Sequence, residues 1–150
     1  MLTLCRPPAL TLLWLSEAHS WLKHRVPLLG SIMAGIPQFE EERSEACIEI
    51  DPSTLRLPKN ARTFALKVRG DSMHHAGIRA GDFVVVEFRE AKHGDIVAAL
   101  IDGETTLKRF ILQGGEPYLR AANPRYPDLI PARELVIQGV MIALLRLTER

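Results

Sequence analysis

Asp95-Ile96-Val97-Ala98-Ala99-Leu100-Ile101-Asp102-Gly103-Glu104-Thr105-Thr106-Leu107-Lys108-Arg109-Phe110 is the stretch on which the fold turns. An apolar run meets Asp102-Gly103, a two-residue hairpin signal, and Glu104 to Phe110 returns antiparallel to it. On the N-terminal side, Phe83-Val84-Val85-Val86-Glu87-Phe88 and Thr63-Phe64-Ala65-Leu66-Lys67-Val68 read as further strands, and Ala46 to Ile50 as a short one. On the C-terminal side, Gly114-Gly115 turns the chain into a strand from Pro117 to Ala121, and Leu135 to Leu147 is a long apolar run. Helical windows are few. Asp51 caps one turn that begins at Pro52 and must end before Pro58. Short strands at short intervals predict a small, mainly β domain.

The chain has 150 residues, one domain's worth with room for an arm. Hydrophobic residues make up 47% and charged residues 25%, enough to bury a core. The net charge of +1 leaves no electrostatic footprint for nucleic acid as a main partner. The residues before the β region are too few for a helix-turn-helix, so no direct DNA binding is expected from this chain. Cys5 and Cys47 form neither a framework nor a CxxC pair. Both read as free thiols in a reducing compartment, and the expected location is the cytoplasm. Ala9 to Leu15 is apolar but far too short to span a bilayer, so no membrane attachment is expected. That region reads as a helix from about Pro8 to Lys23.

Three parts follow: an N-terminal segment over 1–25, an arm over 26–45 and the β domain over 46–150. Two prolines and two glycines bracket short apolar runs between Val26 and Pro37, the composition of an extended, poorly helical arm. Ala34-Gly35 puts two small residues side by side within it. By composition alone that pair belongs to a linker. Glu40, Glu41, Glu42 and Glu45 read as a solvated face. The apolar segments Leu135 to Ile137 and Val140 to Leu145 are too apolar for a bare strand edge, which predicts a homodimer through the C-terminal region.

Two short segments carry chemistry. Val68-Arg69-Gly70-Asp71-Ser72-Met73 offers a serine at a turn that Gly70 allows to be sharp. Thr106-Leu107-Lys108-Arg109-Phe110 offers a lysine within a strand, and taken alone Lys108 is an ordinary solvated strand lysine. His74 and His75 sit too close to Ser72 in sequence to reach back to it and read as surface histidines. Together with His93 they lack any recognised metal-ligand spacing, so neither metal nor cofactor is expected.

The order of the segments is specific. Gly70-Asp71-Ser72-Met73, Gly77-Ile78 with Gly81-Asp82, His93-Gly94-Asp95-Ile96-Val97, Asp102-Gly103-Glu104, Leu107-Lys108-Arg109, and Asn123-Pro124 with Tyr126 and Pro127 follow one another. In this register they resemble the LexA/UmuD family of self-cleaving Ser-Lys proteases, over about Val26 to Arg146. Pro27-Leu28-Leu29-Gly30 leading into Ala34-Gly35 also resembles the self-cleavage region of LexA. His74-His75 departs from the pattern, which more often has an acidic residue there.

The resemblance implies a LexA C-terminal-domain-like fold of twisted β-sheets or a partial barrel. It also implies dimerisation, and self-cleavage at Ala34-Gly35 stimulated by RecA filaments on single-stranded DNA. Ser72 would be the nucleophile and Lys108 its base, with the N–H groups of Asp71 and Ser72 as the oxyanion hole. A lysine serves as a base only when neutral. Its reference pKa is about 10.4, so neutrality near pH 7 requires roughly 4–5 kcal/mol of destabilisation of the ammonium. Burial is the available cause, with Leu107, Phe110 and Ile111 expected to supply apolar bulk and Arg109 expected on the opposite face. The cut serves a LexA-like regulator without its DNA-binding half, or a UmuD-like subunit assisting a translesion DNA polymerase. Other readings are a type I signal-peptidase-like Ser-Lys enzyme, or an inactive relative kept as a binding module.

Overall fold

The structure, a computed structural model, describes residues 2–3, 24–29, 46–58 and 60–148. Among these, nine strands form: β1 (Leu2–Thr3), β2 (His24–Leu29), β3 (Cys47–Ile50), β4 (Thr63–Lys67), β5 (Phe83–Glu87), β6 (Ile96–Ile101), β7 (Glu104–Gln113), β8 (Glu116–Arg120) and β9 (Leu135–Leu145). They hydrogen-bond in the order β1-β3-β2-β4-β5-β9-β6-β7-β8, so the chain is mainly β. The helical pieces described are α1 (Pro52–Leu55) and a 3-10 turn, His74–Ala76. Asp51 caps α1 by accepting the Ser53 N–H, and Pro52 opens it, as expected from those residue types. No helix among the described residues is long and apolar enough to cross a membrane. The expected helix at 8–23 lies outside the described residues.

The hairpin read from Asp102-Gly103 is present, with Ile101 paired to Glu104 and Val97 to Lys108. Asp102 takes φ 48° and Gly103 φ 89°, the left-handed pair that tight hairpins use. Its carboxylate also accepts the N–H groups of Ala132, Arg133 and Glu134, which hold its pKa below the usual carboxylate range.

β5 is a continuous apolar run because both of its faces are covered. Val84 and Val86 pack with Phe64, Met73, Ile78 and Ala98, while Phe83 and Val85 pack with Val26, Ile48 and Ala65. A third cluster joins Val97, Ala99, Ile101, Leu119 and Val140.

β9 runs between β5 and β6 and pairs with both. Its apolar run, taken from sequence as an edge needing a partner copy, is therefore the run of an interior strand. Two register shifts, opposite Val85/Val86 and Ala98/Ala99, bend it.

β2, whose residues from Val26 onward open the extended arm expected over 26–45, is also an interior strand. It lies antiparallel to β3 and parallel to β4, with Val26 fully buried. Cys47 is disulfide-bonded, and no free cysteine occurs among the described residues, against the free-thiol reading. Pairing of Thr3 with Cys47 brings the start of the chain alongside β3, a long-range association that cysteine spacing does not reveal.

At Gly139, β9 leaves no room for a side chain against β5. A Cβ there would lie 2.5 Å from the Glu87 carbonyl oxygen and 2.6 Å from Val86 Cγ1. Gly139→Ala should therefore destabilise the fold by about 1–3 kcal/mol through overpacking, read as a lower urea midpoint.

Candidate active site

β4 delivers the serine loop. Beyond Lys67, Val68 stays tied to the 81–82 stretch, donating its N–H to the Asp82 carbonyl at 2.8 Å and accepting from Gly81 N–H at 2.9 Å. The intervening residues form a closed loop. Gly70 opens it at φ 71°, which L side chains rarely adopt, although a Cβ there would meet nothing within 4 Å. The requirement for glycine is thus backbone conformation rather than space. Met73 is 3% exposed and anchors the loop from below in the cluster with Phe64 and Ile78. Asp82, buried at the loop's far end, receives two hydrogen bonds of 2.7 Å from the Arg146 guanidinium. That pairing holds the Asp82 carboxyl below its ordinary pKa despite burial.

β7 delivers the lysine. Lys108 Nζ lies 2.8 Å from Ser72 Oγ, 2.6 Å from Thr106 Oγ1 and 3.1 Å from the Leu107 carbonyl oxygen. Thr106 shares the lysine's face of the strand by the two-residue period. Arg109 points away and donates to the Gly94 carbonyl at 2.7 Å, as the alternation predicts. Lys108 is 7% exposed, and burial pushes its pKa below the ordinary lysine value. Sequence neighbours account for only part of that apolar setting. The cleft around the amine, about 240 Å³, is also lined by Leu66, Val68, Met73 and Val84, from β4, the serine loop and β5.

Three acceptors around one nitrogen have a chemical meaning. An ammonium donates to all three. A neutral amine has two hydrogens and one lone pair, so it can donate to Thr106 Oγ1 and the Leu107 carbonyl while accepting from the Ser72 hydroxyl. This geometry accommodates a base facing the serine without rearrangement. The sequence reading did not single out Thr106. Its place two residues before Lys108 on the same strand face was the available signal.

The remaining expected site residues are distributed as follows. Asp71 is exposed beside Ser72, and its N–H and that of Ser72 have no hydrogen-bond partner among the described residues. Ala34 and Gly35 lie outside the described residues. His74 and His75 are exposed, with ring centroids 6.0 Å apart. His93 Nδ1 accepts the Leu112 N–H at 3.1 Å.

A family model described as Peptidase S24-like matches residues 27–142. The chain belongs to the peptidase S24-like family. Within it, the chain is 54% identical over 121 residues to the LexA repressor of Verrucomicrobium spinosum, covering 81% of this chain and 60% of that protein. It is 44% identical over 126 residues to the LexA repressor of Opitutus terrae, covering 83% and 63% respectively. Against the LexA repressor of Mycobacterium leprae it is 43% identical over 122 residues, covering 81% and 50%. The chain thus spans between half and two thirds of the length of these S24-like relatives. The mainly β fold expected from the LexA/UmuD resemblance agrees with this membership.

Because the folded state lowers the Lys108 pKa, the folded chain binds fewer protons than the unfolded one between the two values. The lysine's favourable contribution is then fully present above the unfolded value and is lost as pH falls through the folded one. The stability difference between the parent and Lys108→Met should change with pH in that window, by at most about 1.4 kcal/mol per pH unit, the parent gaining as pH rises. Urea denaturation of both chains from pH 7 to 10.5 measures it, and a constant difference would refute a depressed lysine.

Proposed function

We propose that this chain is a LexA-like serine endopeptidase that cuts itself at Ala34-Gly35 with a Ser72-Lys108 dyad. The observation that carries the reading is the 2.8 Å approach of a buried lysine amine to a serine hydroxyl. Neutral Lys108 accepts the Ser72 proton as Ser72 Oγ attacks the Ala34 carbonyl carbon. The Asp71 and Ser72 N–H groups stabilise the oxyanion that forms. The amine then passes the proton to the leaving Gly35 nitrogen as the peptide bond breaks. Water, deprotonated by the same amine, hydrolyses the acyl-serine and regenerates the hydroxyl.

The seat of β2 supports the substrate assignment. Leu29 pairs in parallel with Leu66, which lines the cleft alongside Ser72. Ala34 follows Leu29 by the same number of residues as Asp71 follows Leu66. A five-residue extended chain spans about 17 Å, so a chain continued past Leu29 along β4 can deliver Ala34-Gly35 to the serine. Tethering makes the reaction intramolecular, so no deep specificity pocket is required.

The relatives named LexA repressor favour a regulator of the DNA-damage response over a polymerase subunit. On this reading RecA filaments on single-stranded DNA accelerate the cut by favouring the seated arm or the neutral lysine, and the active chain is a homodimer in the cytoplasm. Sedimentation at micromolar concentration should show that dimer, and monomer alone would contradict it.

Purified chain should cut itself faster as pH rises from 7 toward 10, with fragments whose masses place the break after Ala34. Ser72→Ala or Lys108→Met should slow the cut by at least about 10³-fold while the fold persists. A rate independent of pH would exclude a lysine base, and a break elsewhere would exclude the site. Activated RecA filaments should raise the rate near neutral pH.

A further inference from the structure

Asn123 and Tyr126 belong to the sequence signature, yet the proposed chemistry assigns them nothing. Asn123 reaches the peptide that precedes the nucleophile, and Tyr126 reaches the carboxylate of the same residue, Asp71. Asn123 Nδ2 donates to the Asp71 carbonyl oxygen at 3.0 Å, and the Tyr126 hydroxyl donates to Asp71 Oδ1 at 2.5 Å. The His74 N–H reaches the same Asp71 carbonyl at 3.1 Å. Asn123 Oδ1 is occupied, since it accepts the Arg125 N–H at 3.0 Å. That second bond sets which end of the amide faces Asp71.

The loop bearing these groups has a firm base. Arg120 binds Asp128 with both Nε and Nη2, at 3.0 and 2.9 Å. Leu119 and Leu129 exchange N–H bonds of 3.0 and 2.8 Å. Above that base, His75 N–H donates to the Ala122 carbonyl at 2.8 Å, and Ala122 N–H to Met73 Sδ at 3.4 Å.

No peptide bond here is cis, and in a trans peptide the C=O and the following N–H point in opposite directions. Holding the Asp71 carbonyl toward Asn123 therefore turns the Ser72 N–H away from it. We propose that Asn123 and Tyr126 are positioning residues that lock the Asp71–Ser72 peptide, so that the Ser72 N–H faces the cleft as an oxyanion donor. The proposal rests on the Ser-Lys protease reading for its catalytic consequence, but the lock itself is a property of the loop.

The test separates the two. Asn123→Asp keeps the acceptor for Arg125 N–H and loses the donor to Asp71. Tyr126→Phe loses only the hydroxyl. Self-cleavage of the full chain should fall on the order of 10²-fold in Asn123→Asp and about tenfold in Tyr126→Phe. In Tyr126→Phe, which introduces no charge, the pH at which the rate levels off should stay at the parent value, because the lysine is untouched. In parallel, ¹⁵N relaxation of the Ser72 amide is measured in the uncut Lys108→Met chain, with and without each substitution. A rigid amide that becomes mobile on substitution is expected. Unchanged amide dynamics in both variants overturns the lock, whatever the parent's activity. Mobile amides with a parent-like cleavage rate overturn the positioning role. Mobile amides in a parent that never cuts itself overturn the protease reading while the lock stands.

Discussion

Withdrawal of one amine from water is the constraint on which this site depends. Lys108 is almost fully buried, and among the described residues its hydrogen-bond partners are two hydroxyls and a carbonyl, with no carboxylate. In such a setting the ammonium loses hydration without gaining an opposite charge, so the balance shifts toward the neutral form. A carboxylate in place of Thr106 would reverse that preference.

The sheet is arranged to provide this. β7 carries the lysine, β4 leads into the serine loop, and the strands between them, β5, β9 and β6, each contribute valine or alanine side chains exposed by no more than 1%. Two register shifts along β9 and the missing side chain at Gly139 allow the sheet to curve closely there. The serine loop is tied at one end by Asp82 and Arg146 and on its flank by the 122–126 loop. Two groups thirty-six residues apart in sequence are thus held in contact by elements outside both segments.

Much of the fold was legible in the sequence because its signals are local. Asp102-Gly103 sets a hairpin by turn chemistry, and the valine run of β5 is a strand whichever neighbours it takes. What escaped depends on distant pairing. Pro27 and the glycines around it suggest an extended arm, and their composition does not show that Pro27 lies opposite Cys47 of β3. The run in β9 suggested an exposed edge, whereas two neighbours cover it, and hydrophobicity does not distinguish those cases. At the candidate site, the meeting of Ser72 with Lys108 was legible through the order of the motifs. The lysine's low pKa was legible only as a requirement, because Leu66 and Val84, which line its cleft, come from strands remote in sequence. Asn123 and Tyr126 appeared as letters of a pattern without a task, since no spacing shows that their side chains meet the carbonyl and carboxylate of a residue some fifty positions away.

The interior position of β2 bears on what backbone scission can accomplish. Val26 sits in the core with Ile48 and Ala65, and β2 joins β3 to β4. Leu28 also donates its N–H to the Ala46 carbonyl at 3.0 Å, so the covalent connection leaves β2 and re-enters the sheet beside it. A chain broken within that connection keeps every one of these contacts. The pieces would remain zipped together like a nicked ring, and parting them would require a strand to be drawn from the middle of a sheet. Scission and release of the fragment would therefore be separate events, and release alone would set how long a severed molecule retained its former shape.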